Sequence, residues 1–286
     1  MIINRFFNPT NFKRMKDDFK FLLKMIENKD CKGELDLALR DNYFNLYYKG
    51  NSLAKVEFTD DDTYPYKIKI NTKFFSKTGA DGDKRFFATK KRKNTYFEIG
   101  LDKKLLHPFF QKKYIDQFIS NIRKVNNGEE ITLEQAIITD NLGREDIIII
   151  DRQIKDKVFK KRMDLLALYQ VEKNKNEYNF WVIEVKLGNN PELKDKVAIQ
   201  LDGYVLHIGK NFDDYKDCYE KQYEQKRELG LIVGPKYESI KIVQPVKGLI
   251  AVVGYSGIAK GQIAQLKSNH SELKIESFDY SLKKRI

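Results

Sequence analysis

Apolar residues recur at two different periods along this chain, and the changes of period mark its elements. Between Phe12 and Asn28 the apolar positions Phe19, Leu22, Leu23 and Ile26 fall at helical spacing, which predicts one amphipathic helix. Period two comes next. Residues 34–40, 43–48 and 52–58 alternate apolar with polar, separated by the turn signals Asp41-Asn42 and Lys49-Gly50-Asn51. Three strands so joined predict a meander, to which residues 67–71 add a strand and 114–125 a helix. Asn126-Asn127-Gly128 marks a boundary, so residues 1–128 are expected to form a small α+β domain.

Residues 129–286 carry a different order. The pattern predicts a helix over 132–141, a strand from Asp146, strands over 161–169 and 180–187, and a helix over 194–209. A polar helix-like run over 213–229 comes next, then a strand over 248–253, a helix over 258–268 and a strand over 273–277. Helix, three strands, helix, strand is an αβββαβ order, so this half is expected to be an α/β domain.

Three charges stand out within those strands. Asp164 interrupts the apolar run 163–169, and Glu184 and Lys186 interrupt the run 180–187. Successive strand residues face opposite ways, so Glu184 and Lys186 share a face while Val185 points to the other. Moving such groups out of water costs several kcal/mol per ion unless they are paired or hold a metal. A solvated ion pair on an edge strand would leave the flanking Phe180-Trp-Val-Ile183 unexplained.

Asp164 on one strand and Glu184-Val185-Lys186 on the next resemble the motif of the PD-(D/E)XK nucleases, with Met163 where the family usually has Pro. Arg162-Met-Asp-Leu-Leu-Ala167 is similar to a run found in mismatch-directed and restriction-type members, and Gln200 with Tyr204 to the Gln-x-x-x-Tyr helix of RecB-like ones. Gln200 and Tyr204, four apart, lie on one helix face. The resemblance covers about residues 129–265. It implies a restriction endonuclease-like fold and a Mg²⁺- or Mn²⁺-dependent deoxyribonuclease. Asp164, Glu184 and the carbonyl of Val185 would be metal ligands, and Lys186, Gln200 and Tyr204 would complete the catalytic set. Glu134 sits where relatives carry a further acidic ligand on the leading helix, although a Thr132-x-x-Gln135 capping box accounts for the local polar pattern without catalysis. Packing on an amphipathic helix is the plain alternative for Gln200 and Tyr204. Restriction, phage defence and repair all fit. The rival functions are a nucleic-acid-binding protein that does not cleave, on a nuclease-like scaffold, and a nuclease directed at RNA.

Charge adds a partner. Residues 1–128 hold 27 Lys and Arg against 16 Asp and Glu, a net of +11, whereas residues 129–286 hold 26 against 25, a net of +1. Within the first half, residues 79–93 gather Lys84, Arg85, Lys90, Lys91, Arg92 and Lys93 beside Phe86, Phe87, Tyr96 and Phe97. Cations interleaved with aromatics suit phosphate contacts and stacking on bases, and DNA is the expected partner. A solvated basic loop is the alternative. No run of 18 apolar residues is present and the first residues lack a long apolar stretch, so a cytoplasmic protein without a membrane partner is expected, a homodimer being compatible. Cys31 and Cys218, and His107, His207 and His270, lack ligand spacing, and residues 254–261 lack the ending of a phosphate-binding loop.

Overall fold

The computed structural model describes residues 1–30, 34–74, 84–87, 91–125, 128–254, 257–271 and 274–278. The chain divides into two compact units. Asn4–Ile131 and Glu224–Val233 form one; Met1–Ile3, Thr132–Tyr223 and Gly234–Ile286 form the other. Among the described residues no helix is long and apolar enough to cross a membrane.

In the first unit the chain starts its first helix α1 (Pro9–Asp18) at an Asn-Pro pair, where the Asn8 side chain accepts from the Asn11 amide. The single helix expected over 12–28 is broken at Phe19, which leaves helical dihedrals before α2 (Lys20–Glu27). Its ring explains the break: Phe19 is fully buried, edge-on to Phe44 at 5.0 Å and to Tyr66 at 5.2 Å. Burying a Phe stabilises by about 1.5–3 kcal/mol, more than the roughly 1 kcal/mol net of a single helical hydrogen bond. Strands β1 (Leu35–Arg40), β2 (Tyr43–Tyr48), β3 (Asn51–Phe58), β4 (Tyr66–Asn71), β5 (Lys91–Lys93) and β6 (Tyr96–Leu101) form an antiparallel sheet in the order β1-β2-β3-β4-β6-β5. Short helix α3 (Lys84–Phe87) precedes β5, and α4 (Lys103–Phe109) and α5 (Lys112–Val125) come after β6. Phe7 of this unit exchanges two hydrogen bonds with the side chain of Gln225, and Leu229 joins the same core.

The second unit has the α/β character expected from the pattern. Helix α6 (Glu129–Asp140) leads to β7 (Ile147–Ile154), β8 (Met163–Gln170) and β9 (Glu177–Leu187), then α7 (Lys196–Lys210), α8 (Phe212–Glu228), β10 (Lys241–Val253), α9 (Gly257–Asn269) and β11 (Lys274–Phe278). The sheet order is β11-β10-β9-β8-β7; β8 runs antiparallel to both neighbours, and β9, β10 and β11 are parallel. One sheet face, with Leu165, Ala167, Ile183, Val185, Leu249 and Ala251, packs with Ile138 of α6. The other takes α7, whose Leu201 lies directly over Gly248. Helix α8 buries Tyr215, Tyr219 and Tyr223, one turn apart, and each hydroxyl finds an acceptor: Asp156, Asp151 and the carbonyl of Tyr237. At the start of the chain, the Ile2 amide donates to Asp214 and its carbonyl accepts from Lys157.

The end of β9 is closed by a backbone contact. A Cβ on Gly188 would lie 2.3 Å from the carbonyl oxygen of Gly254, whereas one on Gly203, within α7, would meet nothing within 4 Å. Gly188→Ala should therefore lose about 1–3 kcal/mol through overpacking. Gly203→Ala should gain about 0.5–1 kcal/mol from helix propensity. Urea unfolding followed at Trp181, the one tryptophan of the chain, measures both, and equal effects would refute the contact.

Candidate active site

The β8–β9 ladder sets the centre of the site. Its pairs run from Gln170 and Tyr178 to Leu165 and Ile183, so one further step brings Asp164 opposite Glu184. There the main-chain pairing gives way to a side chain: the Val185 amide donates to Asp164 Oδ2 at 3.0 Å. Glu184 is 1% exposed and Lys186 7%. Both lie on the face covered by α7, with Val185 in the opposite core. That opposite face holds a cavity of about 550 Å³ lined by Ile149, Ile183, Leu249 and Ala251, so the carboxylates do not open into it.

Helix α7 completes the arrangement. Gln200 Nε2 donates to Glu184 Oε1 at 2.8 Å and contacts the Tyr204 hydroxyl at 2.6 Å, and that hydroxyl donates to the Arg162 carbonyl at 2.9 Å. The four-residue spacing seen in sequence thus joins both side chains to the strand motif. Burial, then the charge of Glu184, pushes the Tyr204 hydroxyl up to about 12, so it stays a proton donor. Lys186 Nζ lies 2.9 Å from Glu184 Oε1 and 3.1 Å from Glu192 Oε2. Burial works to lower its pKa, but Glu184, Glu192 and Asp164 outweigh that and raise it, keeping the ammonium charged. Glu192 is a site residue that the sequence pattern does not single out. Its one signal is the Asn190-Pro191 turn, whose Asn190 side chain caps the Glu192 amide and aims the acid at β9.

Glu134 reaches the same neighbourhood from α6 by way of a β-bulge. The β7–β8 register shifts between Ile149 and Asp151, so Asp151 pairs with Leu166 and Arg152 with Leu165. The extra residue exchanges the faces of the rest of the strand. Asp151 turns toward α8, where Tyr219 donates to it at 3.0 Å. Arg152 turns toward α6, donating to Gln135 at 2.6 Å and to Glu134 at 3.3 Å. Gln153, with a left-handed φ of 51°, falls opposite Asp164 and donates to Glu134 at 2.7 Å. Arg152 is 1% exposed, and a guanidinium within an isoleucine-rich strand is the same signal that singles out Asp164. Among the described residues no three Asp, Glu, His or Cys side chains group as a metal-holding set. The oxygen donors at the centre are the two carboxylates of Asp164 and Glu184 with the intervening main chain of Val185, while Glu134 is engaged by Arg152 and Gln153.

The basic residues expected to meet nucleic acid belong to the first unit. Lys91, Arg92 and Lys93 are exposed on the edge strand β5, with Arg92 opposite Phe97 and Lys93 opposite the exposed Tyr96. An all-cationic edge strand also discourages pairing with another chain. Arg85 is exposed, Lys84 lies in α3, and Lys90, like Cys31, lies outside the described residues. Phe86 is not available for stacking on a base. It is 1% exposed, packed edge-on to Phe109 and Tyr114. His107 packs on Phe21, and His207 binds Asp156, as structural histidines do.

No family model, curated protein or solved structure matches this chain.

Burial, and next the Asp164 charge, push the Glu134 carboxyl up to about 7 from an ordinary 4.5, against the opposing pull of Arg152 and Gln153. A proton bound more tightly in the folded chain stabilises it fully below pH 4.5, and that contribution is lost as pH rises through 7. Glu134→Gln abolishes the loss, so the stability of the variant relative to wild type should rise by about 3 kcal/mol across this window. Urea titrations in EDTA at several pH values measure it. Parallel curves would show that Glu134 is not protonated in the fold.

Proposed function

We propose that this protein is a metal-dependent nuclease of the PD-(D/E)XK type that hydrolyses phosphodiester bonds in DNA. The observation that carries the proposal is the joining of Asp164, Glu184 and Lys186, on adjacent strands, to Gln200 and Tyr204 on one face of α7. The element order α6, β7, β8, β9, α7, α8, β10 supports a restriction endonuclease-like αβββαβ core in which α8 is an addition between the second helix and the last strand. The basic first unit, with Arg85, Lys91, Arg92 and Lys93 exposed, supports a nucleic-acid partner. The expected place of action is the cytoplasm, in restriction, phage defence or repair.

The donor chemistry fits a hard divalent cation, because Asp164, Glu184 and the Val185 carbonyl offer only oxygen. Mg²⁺ or Mn²⁺ held there would lower the pKa of a bound water and offset charge on the phosphoryl oxygens. The remaining steps belong to the chain. Lys186, kept charged, would orient the attacking water or stabilise the charge that develops on the phosphate. Gln200 fixes the Glu184 carboxylate, and Tyr204 fixes Gln200 while tying it to the main chain just ahead of Asp164.

Binding without cleavage is the second reading, and one observation favours it: Lys186 is already closed between Glu184 and Glu192. Incubating the protein with supercoiled plasmid and Mg²⁺ or Mn²⁺, with EDTA as control and single-stranded RNA in parallel, separates the readings. Asp164→Ala and Glu184→Ala should each abolish metal-dependent cleavage while leaving the fold intact. Cleavage by both variants at the wild-type rate would falsify the site. Lys186→Ala should stop turnover yet keep DNA binding, since its role lies in the transition state. Should binding fall as far as the single-turnover rate, Lys186 is a docking residue instead.

A further inference from the structure

The loop that leads into Asp164 carries an unusual combination of surface charge and internal anchoring. It joins β7 to β8 as Lys155-Asp-Lys-Val-Phe-Lys-Lys-Arg162, and Lys155, Lys157, Lys160, Lys161 and Arg162 are all exposed. Lys157, Lys160, Lys161 and Arg162 form no ion pair among the described residues. Like charges crowded into so short a segment repel one another and, left to themselves, favour a splayed, mobile loop.

Here the segment is tied down instead. The Asp156 carboxylate is fully buried and accepts from the amides of Val158 at 2.8 Å and Phe159 at 2.5 Å, and from the hydroxyl of Tyr215 at 2.8 Å. His207 Nε2 lies 2.5 Å from the same carboxylate. The Phe159 ring stacks on His207 at 4.6 Å and meets Tyr204 edge-on at 5.6 Å. The far end is held by the hydrogen bond from Tyr204 to the Arg162 carbonyl. The backbone that carries the cations is thereby held relative to Asp164, and one anchor, Tyr204, is itself part of the candidate site.

We propose that residues 157–162 form a phosphate-binding rail that grips the nucleic-acid backbone beside the bond to be cut. The ligand class is a polyanion of regularly spaced phosphodiesters. Cations carried on an anchored backbone meet it without the entropic cost of ordering a mobile loop at the moment of binding. The proposal deepens the nuclease reading and rests on it for the position of the scissile phosphate, but binding by the rail can be measured without cleavage.

The experiment uses the full chain in EDTA and a fluorescein-labelled DNA duplex, with anisotropy titrations over a range of salt. Wild type is compared with Lys157→Gln, Lys160→Gln, Lys161→Gln and Arg162→Gln combined. A control of equal charge loss replaces the exposed Lys173, Lys236, Lys241 and Lys267 with Gln. The rail variant should bind on the order of tenfold or more weakly at moderate salt, and its log K against log salt slope should flatten by about 0.9 for each phosphate no longer neutralised, up to about 3.6. The control should change little. No binding by wild type, an unchanged slope in the rail variant, or an equal drop in the control would each overturn the rail. Failure of the nuclease reading shows separately, as absence of plasmid cleavage with Mg²⁺ or Mn²⁺ by a wild-type protein whose binding still depends on the rail.

Discussion

Charge buried within a sheet has to be answered where it stands, and in this protein the answer organises everything around β9. Glu184 and Lys186 lie beside Ile250 and Val252 of β10, and each ion removed from water costs several kcal/mol before it is compensated. Their compensation draws in α7 through Gln200, the turn before α7 through Glu192, and β8 through Asp164. Tyr204 extends the same network to the main chain at Arg162. A site assembled from hydrogen bonds that the fold requires in any case is pre-organised, which is what the proposed hydrolysis of a phosphodiester would ask of its carboxylates.

A second buried charge is handled differently. Arg152 meets Glu134 and Gln135 because the bulge after Ile149 exchanges the faces of β7. The same shift sends Asp151 to Tyr219. One inserted residue thus settles two polar contacts on opposite sides of the sheet, and it leaves Gln153 in a strained left-handed conformation between Glu134 and Asp164.

The centre of the candidate site is legible in sequence because a charge that interrupts a continuous apolar strand has few innocent explanations, and Asp164, Glu184 and Lys186 meet that test. Arg152 meets it too, but it has no acidic partner at strand spacing to complete a motif; its partner sits 18 positions back, on a helix. Helix α8 reads as a polar run in sequence since its buried stripe is built from tyrosines, whose hydroxyls look polar and are satisfied only by the tertiary fold. The break at Phe19 and the burial of Phe86 are likewise tertiary outcomes, each decided by rings contributed from distant elements. Strand β5, three cations long, carries no apolar signal at all.

The way the chain threads the two units bears on its modularity. Met1–Ile3 belongs with the α/β unit and Glu224–Val233 with the other, so the boundary is crossed several times and not once. A gene fragment cut at residue 131 would give an α/β piece lacking the hydrogen bonds that Ile2 makes to Asp214 and Lys157, and an N-terminal piece lacking Gln225 and Leu229. Neither half is a portable cassette. An engineer wishing to graft either unit would have to move its outlying segment with it.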